Sequence, residues 1–300
     1  MSSSSSKDEL KQVSSFFSSL HKEWVCKALR AGKHVVVEKP VALCVEDYQE
    51  MLDVAHETGK FLMDGTMYPH HSRTPNVVAC ARDEAHVGKV DRIETAFSFL
   101  GDESFFKNDI RTKKDGDPLG CLGDLGWYCI MMALLVFPTK PVSARVVDFK
   151  LTNEGVPIRA SCLVHFEGDC VLAFHCGFLT PLRQSVEICG SKKSIKMDDY
   201  VLPKEGPLQY ELHSMSLTDT DLITIHDKEV VVCEAGPVQE VMLWQKFAKL
   251  ATAVGAGSSE WSGEGDEVVE AIKIAQMSLT AQQILNALMN SIHHQAEVSV

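Results

Sequence analysis

Residues 21–40 read HKEWVCKALRAGKHVVVEKP and encode a helix, a turn and a strand in quick succession. Apolar residues recur at helical spacing up to Leu29, and Gly32 follows where a left-handed helix cap belongs. The β-branched residues 35–37 predict a strand that is buried on both faces. This strand ends before Pro40, because proline cannot donate a hydrogen bond to a sheet ladder.

The same pattern repeats in the next stretch of the chain. Residues 46–58 have an apolar face at helical spacing and are followed by Gly59, and residues 61–63 form another short apolar strand. Alternating helices and strands with short connections indicate right-handed crossovers and a parallel sheet covered by helices. The first part of the chain is therefore predicted to be α/β.

The pattern changes after about residue 85. Helices at residues 73–83 and 121–137 flank an alternating strand at residues 89–99 and a polar loop at residues 101–118. Successive strand-like segments separated by turn residues then indicate an antiparallel sheet, and we place them at residues 142–151, 158–167, 170–179, 184–190 and 193–200. Two long amphipathic helices, residues 238–254 and 267–292, close the sequence. We expect a first domain over residues 1–85 and an α+β domain over residues 86–300, with the C-terminal helices as candidates to pack against the first domain.

Composition excludes several classes of function. The 300 residues include 29 basic and 41 acidic side chains, and the net charge of −12 disfavours binding to nucleic acid or to an anionic membrane surface. The longest apolar run, residues 129–137, is far shorter than the roughly 20 residues of a membrane span. The serine-rich start lacks the features of a secretory signal, so we expect a cytoplasmic protein.

Cysteine and histidine patterns predict no metal site. The ten cysteines include no C-x-x-C pair, which is typical of buried thiols in a reducing compartment. The histidine pairs at residues 70–71 and 293–294 are adjacent, so their side chains diverge. We interpret them as ordinary surface or core residues.

Lys39 is the first candidate for chemistry. In open parallel sheets, ligands bind beyond the carboxyl ends of the strands, and Glu38-Lys39-Pro40 occupies such an end. The ammonium group could hydrogen-bond a substrate hydroxyl or carbonyl. The simpler alternative is a surface ion pair between Glu38 and Lys39.

A second candidate lies at the start of the helix over residues 121–137, where residues 120–128 read GCLGDLGWY. Asp124 and Tyr128 are four residues apart, which places them on one helical face. A carboxylate is favoured near a helix N-terminus, and a phenol can exchange a proton. The alternative is a helix cap at Asp124 and a half-buried aromatic at Tyr128. Three glycines in this stretch favour the functional interpretation, because they are costly unless the backbone approaches something closely.

These motifs resemble the glucose-fructose oxidoreductase and inositol dehydrogenase family, also called Gfo/Idh/MocA. The resemblance runs from about Ser18 to the last helix. It is carried by SLH at residues 19–21, AGKHVVVEKP at 31–40, MDGTMY at 63–68 and the glycine-rich Asp124/Tyr128 helix. FSFLGDE at 97–103, KNDIR at 107–111 and GDLGWY at 123–128 most resemble uncharacterised plant oxidoreductases of the family.

The resemblance implies a truncated Rossmann-like parallel sheet followed by an α+β domain with a large mixed, mainly antiparallel sheet that dimerises through its open face. It also implies hydride transfer between NAD or NADP and a sugar, polyol or diol. Tyr128 stands where dihydrodiol dehydrogenases of the family have a tyrosine, so Lys39 and Tyr128 are the expected proton-transfer pair. The resemblance implies substrate binding by Asp124 and Arg111, and cofactor binding by His21, Glu38 and Lys39.

One family feature is absent from the sequence. A dinucleotide-binding fold normally opens with a strand, a G-x-G-x-x-G turn and a helix that holds the pyrophosphate. The glycines at positions 120, 123 and 126 have the wrong spacing, and Gly255 and Gly257 follow a helix. We therefore expect the chain to begin in the middle of that fold. Two hypotheses follow: an NAD(P)-dependent oxidoreductase, or a catalytically inactive relative that acts as a dimerisation or interaction module.

Overall fold

The structure is a computed structural model that describes residues 11–13, 18–203, 208–217, 224–255, 261 and 265–300. The chain divides into two compact units, one from residues 1–65 and 244–282, the other from residues 66–243 and 283–300. A domain boundary at residue 85 stays a prediction. Within the described residues, none of the helices combines the length and apolar character needed to cross a lipid bilayer.

The first unit contains a parallel sheet of three short strands, β1 (Lys11–Val13), β2 (Val35–Val37) and β3 (Leu62–Asp64), in the order β1-β2-β3. The helices α1 (His21–Arg30) and α2 (Val45–Thr58) connect them. Every residue of β2 is at most 2% exposed, which confirms the prediction of a strand buried on both faces. Gly32 and Gly59 have φ angles of 77° and 60° after these helices, so both occupy the left-handed cap conformation expected of them.

Parts of the two C-terminal helices belong to this unit. They are α6 (Gln239–Gly255) and α7 (Asp266–His294), of which residues 244–255 and 266–282 are assigned here. Phe61 stacks on Phe247 with ring centroids 5.7 Å apart. The Ser278 hydroxyl donates a buried hydrogen bond of 2.7 Å to the Asp64 carboxylate. These contacts bind the helices to the strand β3 and to the residue before it.

The second unit contains a nine-stranded mixed sheet. Its order is β11-β10-β9-β8-β4-β7-β6-β5-β12, and β4 pairs parallel with β7 while the other pairs are antiparallel. The strands are β4 (Val90–Leu100), β5 (Pro141–Leu151), β6 (Pro157–Phe166), β7 (Cys170–Gly177), β8 (Leu179–Gly190), β9 (Ser194–Met197), β10 (Leu208–Leu217), β11 (Thr224–Cys233) and β12 (Val298–Ser299). This sheet and the parallel sheet of the first unit confirm the predicted fold class.

The sheet of the second unit has one buried and one open face. On β7 the residues Cys170, Leu172, Phe174 and Cys176 are at most 5% exposed, and the residues between them are half-exposed. Among the described residues, three α-helices lie wholly within the unit: α3 (Arg73–Ala81), α4 (Glu103–Asn108) and α5 (Trp127–Val136). Packing on the buried face explains why α5 is apolar along its whole length.

The structure differs from the sequence-based expectation at several places. The polar loop at residues 101–118 contains α4 and a 3₁₀ turn at Ile110–Thr112. The strands β1, β10, β11 and β12 were not predicted. The helix expected at residues 121–137 is not uniform, because Leu122–Gly126 form a π-helical turn before α5 begins. Single π-turns are rare in proteins and frequently mark functional sites.

Candidate functional site

The first group of predicted site residues lies at the carboxyl end of β2. Glu38 and Lys39 are half-buried there, and the peptide bond between Lys39 and Pro40 is cis. His21, which begins α1, is 1% exposed, and its Nδ1 lies 3.0 Å from the Pro40 carbonyl oxygen. Because a carbonyl can only accept, Nδ1 must carry a proton, and this hydrogen bond fixes the ring orientation.

Gly65 follows β3 directly and brings the backbone close to Glu38. A Cβ at this position would lie 3.2 Å from Glu38 Oε2 and 3.3 Å from the Val37 carbonyl oxygen. The Gly65 amide also donates a 2.7 Å hydrogen bond to that carbonyl. The glycine therefore permits the Glu38 side chain to lie over the backbone at the edge of the sheet where ligands of parallel sheets bind.

These residues fit one end of a dinucleotide and not the other. The half-buried carboxylate and ammonium beside a glycine offer acceptors and donors suited to a ribose or a carboxamide. In the sequence, residues 14–20, which precede α1, and residues 38–44, which precede α2, contain no glycine. A glycine-rich turn for a pyrophosphate is therefore absent from both, and the fit is limited to the nicotinamide end.

The second group of site residues lies on and around the π-turn of the second unit. Gly120 has a φ of 51°, and a Cβ there would lie 2.2 Å from the Pro157 carbonyl oxygen. A Cβ at Gly126 would lie 3.3 Å from the Phe174 ring and 3.5 Å from the Cys176 sulfur. Both glycines thus let the turn approach β6 and β7 closely, which places Asp124 between two contacts with the sheet.

Asp124 is 8% exposed and interacts with Arg111, whose Nη1 donates to Asp124 Oδ2 at 3.2 Å. Arg111 also donates from Nε to Asp109 Oδ1 at 2.9 Å and from Nη2 to Asp109 Oδ2 at 3.0 Å. These bonds lower the pKa of Asp109 and raise the pKa of Arg111 above its already high usual value. The result is a carboxylate, guanidinium and carboxylate in a row, with Asp124 at one end.

Tyr128 is in the first turn of α5 and is 7% exposed. Its ring meets the Phe97 ring edge to face at 5.3 Å between centroids and lies 6.1 Å from the Tyr68 ring. The Tyr68 hydroxyl donates to the Tyr128 carbonyl oxygen at 3.2 Å. Rings on two sides and a hydrogen bond to the backbone thus hold the Tyr128 side chain in place.

The neighbouring residue Trp127 anchors the same helix. Its indole N–H donates a 2.7 Å hydrogen bond to the Thr66 hydroxyl, and both residues are fully buried. Among the described residues, no group of three or more histidine, cysteine or acidic side chains is arranged to hold a metal ion.

Comparison with known proteins relates both units to one family. Residues 11–66 match the model of an oxidoreductase family with an NAD-binding Rossmann fold, and residues 79–196 match the GFO/IDH/MocA C-terminal domain. Together these matches span more than half of the chain. The chain belongs to the Gfo/Idh/MocA family.

Individual relatives are consistent with this assignment. An uncharacterized oxidoreductase of Rhizobium meliloti is 30% identical over 179 residues, which are 59% of this chain and 52% of that protein. A dTDP-3,4-didehydro-2,6-dideoxy-alpha-D-glucose 3-reductase of Streptomyces violaceoruber is 25% identical over 91% of this chain and 74% of its own length. The chain thus spans about half the length of the first relative.

A solved structure supports the fold. The aldose-aldose oxidoreductase of Caulobacter crescentus, crystallised with glycerol, superposes with a TM-score of 0.75 at 17% identity. The alignment covers 95% of this chain and 78% of that one. At this level of identity, the likeness concerns the Gfo/Idh/MocA fold alone.

The structure places the predicted site residues of this Gfo/Idh/MocA chain in two groups. His21, Glu38 and Lys39 lie together in the first unit. In the second unit, Asp124 is within hydrogen-bonding distance of Arg111, and Tyr128 follows the same π-turn. The roles of these six residues stay predictions.

Sequence reasoning missed three residues that shape the second group. Asp109 forms the fork with Arg111, and Thr66 and Tyr68 hold Trp127 and Tyr128. Asp109 was detectable, because an aspartate two residues before an arginine favours an Asx turn that brings the two side chains together. Thr66 and Tyr68 are about 60 residues from their partners along the chain, so no local pattern pointed to them.

Proposed function

We propose that this chain is an NAD(P)-dependent oxidoreductase that interconverts a secondary alcohol and its ketone in a sugar, polyol or diol. The observation that carries the proposal is Asp124, a nearly buried carboxylate at the start of an otherwise apolar helix. Burying a charge is costly, and such groups concentrate at functional sites. The relative from Streptomyces, named as a reductase of a nucleotide-linked sugar, supports the class of substrate.

The nicotinamide, when bound, supplies or accepts the hydride, since no side chain can do so. The residues at the carboxyl end of β2 are proposed to hold its nicotinamide end. Lys39 orients the carboxamide and the substrate oxygen through its ammonium group. Glu38 and His21 bind the adjoining ribose, and the His21 ring is already fixed by the Pro40 carbonyl.

Tyr128 is proposed to move the proton. On reduction, its phenol donates a proton to the oxygen of the ketone as hydride reaches the carbon, and on oxidation the phenolate takes the proton back. The Phe97 and Tyr68 rings restrict the Tyr128 ring to one orientation. An oriented phenol reduces the entropy lost when the transition state forms.

Asp124 and Arg111 are proposed to bind the other hydroxyl groups of the substrate. A carboxylate accepts hydrogen bonds from hydroxyl groups, and the guanidinium N–H groups donate to hydroxyl oxygens. A pair of one acceptor and one donor group suits vicinal hydroxyls, each of which both donates and accepts. This arrangement favours polyhydroxylated substrates over simple alcohols.

We also propose that the protein is a cytoplasmic homodimer that pairs through the open face of the mixed sheet. This face carries a groove of about 540 Å³ lined by residues of β4 to β9. The groove is rimmed by ion pairs such as Glu187 with Lys196, and it contains a 2.9 Å hydrogen bond between Ser161 and His175. Light scattering during size-exclusion chromatography tests the proposal, and a mass of one 33.1 kDa chain at micromolar concentration would contradict it.

The decisive test of the activity is cofactor binding followed by turnover. NADH and NADPH are titrated against the protein while nicotinamide fluorescence is followed, and a panel of sugars, polyols and diols is then assayed with both oxidised cofactors. We expect a saturable signal and turnover of at least one polyhydroxylated compound. The absence of a signal at millimolar concentrations of both cofactors would favour the inactive interaction module.

Two pairs of variants assign the roles. Lys39→Ala and Tyr128→Phe should each lower kcat by at least about a hundredfold, the usual contribution of a positioned acid or base. Lys27→Ala on the surface of α1 and Tyr210→Phe on β10 are the matched controls and should retain the wild-type rate. Equal rates for Tyr128→Phe and Tyr210→Phe would remove Tyr128 from the mechanism.

A further inference from the structure

We propose that Asp109 is a positioning residue: by holding two N–H groups of the Arg111 guanidinium, it limits Arg111 to a single hydrogen bond with Asp124, so that the Asp124 carboxylate can also accept from substrate hydroxyls. The inference rests on the proposed function, because it assigns Asp124 to substrate hydroxyls. Asp109 itself would touch neither substrate nor cofactor.

The backbone around Asp109 orients its carboxylate toward Arg111. Asp109 precedes the 3₁₀ turn at Ile110–Thr112, and its Oδ1 accepts a 3.0 Å hydrogen bond from the Arg111 backbone amide. The Thr112 hydroxyl donates to the Asp109 carbonyl oxygen at 2.8 Å. The backbone on both sides of the Asp109 side chain is therefore fixed before the guanidinium is considered.

The guanidinium is then held by a two-pronged ion pair. Nε and Nη2 of Arg111 donate to the two oxygens of Asp109 at 2.9 and 3.0 Å. Forked pairs of this kind add directional specificity as well as attraction. Arg111 gives two of its N–H groups to Asp109 and a single one, at the longer distance of 3.2 Å, to Asp124.

An aromatic surface completes the support. The guanidinium carbon of Arg111 lies 5.1 Å from the centroid of the Phe105 ring and 5.6 Å from that of Phe99, both within cation–π range. The two rings meet edge to face at 5.3 Å, and each also contacts Phe178. With rings beside it and Asp109 at its side, Arg111 has little freedom to turn further toward Asp124, to which it donates a single hydrogen bond.

Charge explains why this restraint matters. Arg111 lies between two carboxylates, and its side chain is 35% exposed against 11% for that of Asp124. If Asp109 lost its charge, the guanidinium would pair more strongly with Asp124, which is less solvated and therefore attracts it more. A two-pronged pair with Arg111 would then replace the single hydrogen bond to Asp124, and substrate hydroxyls would have to compete with it for the carboxylate oxygens.

The test compares Asp109→Asn with the matched variant Asp102→Asn. Asp102 lies in the same segment and caps α4 by accepting from the Phe105 amide at 2.7 Å, but no guanidinium among the described residues pairs with it. We expect Asp109→Asn to raise the KM for substrate about tenfold, as when one charge-assisted hydrogen bond is lost, with kcat and the KM for cofactor within twofold of wild type. Asp102→Asn should have wild-type kinetics.

A double variant distinguishes positioning from a separate contribution. Because Asp109 is proposed to act through Asp124, Asp109→Asn combined with Asp124→Asn should raise KM no further than Asp124→Asn does alone. Increases in KM that multiply would overturn the proposal. So would a KM for Asp109→Asn equal to that of Asp102→Asn.

A readout independent of turnover separates this inference from the proposed function. In protein labelled with ¹⁵N-arginine, the Nε–H signal of Arg111, assigned by its loss in Arg111→Lys, should exchange slowly with water in wild type and quickly in Asp109→Asn. An unchanged rate of Nε–H exchange in Asp109→Asn would overturn the proposal that Asp109 holds the Arg111 guanidinium. Slow Nε–H exchange in a wild-type protein that turns over no substrate would overturn the proposed function, but it would still support the positioning of Arg111 by Asp109.

Discussion

Replacing Gly120 with alanine should destabilise the second unit more than the conformation of the glycine alone requires. The φ of 51° at this position costs a residue with a Cβ roughly 1–2 kcal/mol. The added Cβ would also lie 2.2 Å from the Pro157 carbonyl oxygen, and a backbone atom cannot rotate away. Overpacking of a rigid site typically costs about 1–3 kcal/mol more. We therefore expect Gly120→Ala to lower the free energy of unfolding by roughly 2–5 kcal/mol.

Gly155 provides the matched control. It lies in the turn between β5 and β6 with a φ of 84°, and a Cβ there would meet nothing within 4 Å. Gly155→Ala should thus show the conformational cost alone, about 1–2 kcal/mol. Urea unfolding followed by tryptophan fluorescence measures both variants. A cost for Gly120→Ala no larger than that for Gly155→Ala would contradict the close approach of the Gly120 backbone to β6.

Two further predictions concern buried polar groups of the second unit. Thr66→Val keeps the shape of the side chain but removes the acceptor of the buried Trp127 indole N–H. It should lower the free energy of unfolding in urea by about 1–3 kcal/mol and shift the near-ultraviolet circular dichroism of tryptophan. An unchanged unfolding midpoint would contradict this prediction. Burial and the nearby Arg73 lower the pKa of His71, although Asp199 and Glu240 oppose the shift. The folded state therefore binds fewer protons than the unfolded state just below pH 6.5, and stability should fall as the pH falls through this region toward the folded pKa. His71→Asn should lose less stability between pH 7 and 5.5 than wild type does, and equal slopes would refute the assignment.

The elements that could be predicted from the sequence are those defined by neighbouring residues. The strand at residues 35–37 and the helix before it carry their own signals, a β-branched run and a glycine at the cap. The bounds of α2, α6 and α7 agree with the prediction to within two residues for the same reason, because each has a continuous apolar face. Local patterning therefore sufficed for these helices and for the positions along the chain of the strands β2 to β9.

The elements that were missed depend on distant partners. The strand β11 contains charged residues on both faces, such as Lys228 on one face and Glu229 on the other, and β10 carries Glu211 and His213 on the face opposite Tyr210 and Leu212. The pairing of the two strands includes an ion pair between Lys228 and Glu211, and a pattern of apolar residues cannot predict such a contact. The π-turn likewise depends on the fit of Gly126 against Phe174 and Cys176, which are about 50 residues away along the chain.

The glycines around Asp124 change what the sequence argument can support. Their cost suggested that the backbone must approach something closely, and the structure identifies the neighbours of Gly120 and Gly126 as strands of the same unit. Packing on the sheet therefore accounts for both glycines without any ligand. The functional argument must then rest on Asp124 itself, because a hydrophobic helix gains nothing from a carboxylate that has to be paired with a distant arginine. An apolar residue at position 124 would pack on the same turn at lower cost. We therefore expect Asp124→Leu to be more stable than wild type and to lose substrate binding. This result would show that Asp124 serves the site and is not required for the stability of the fold.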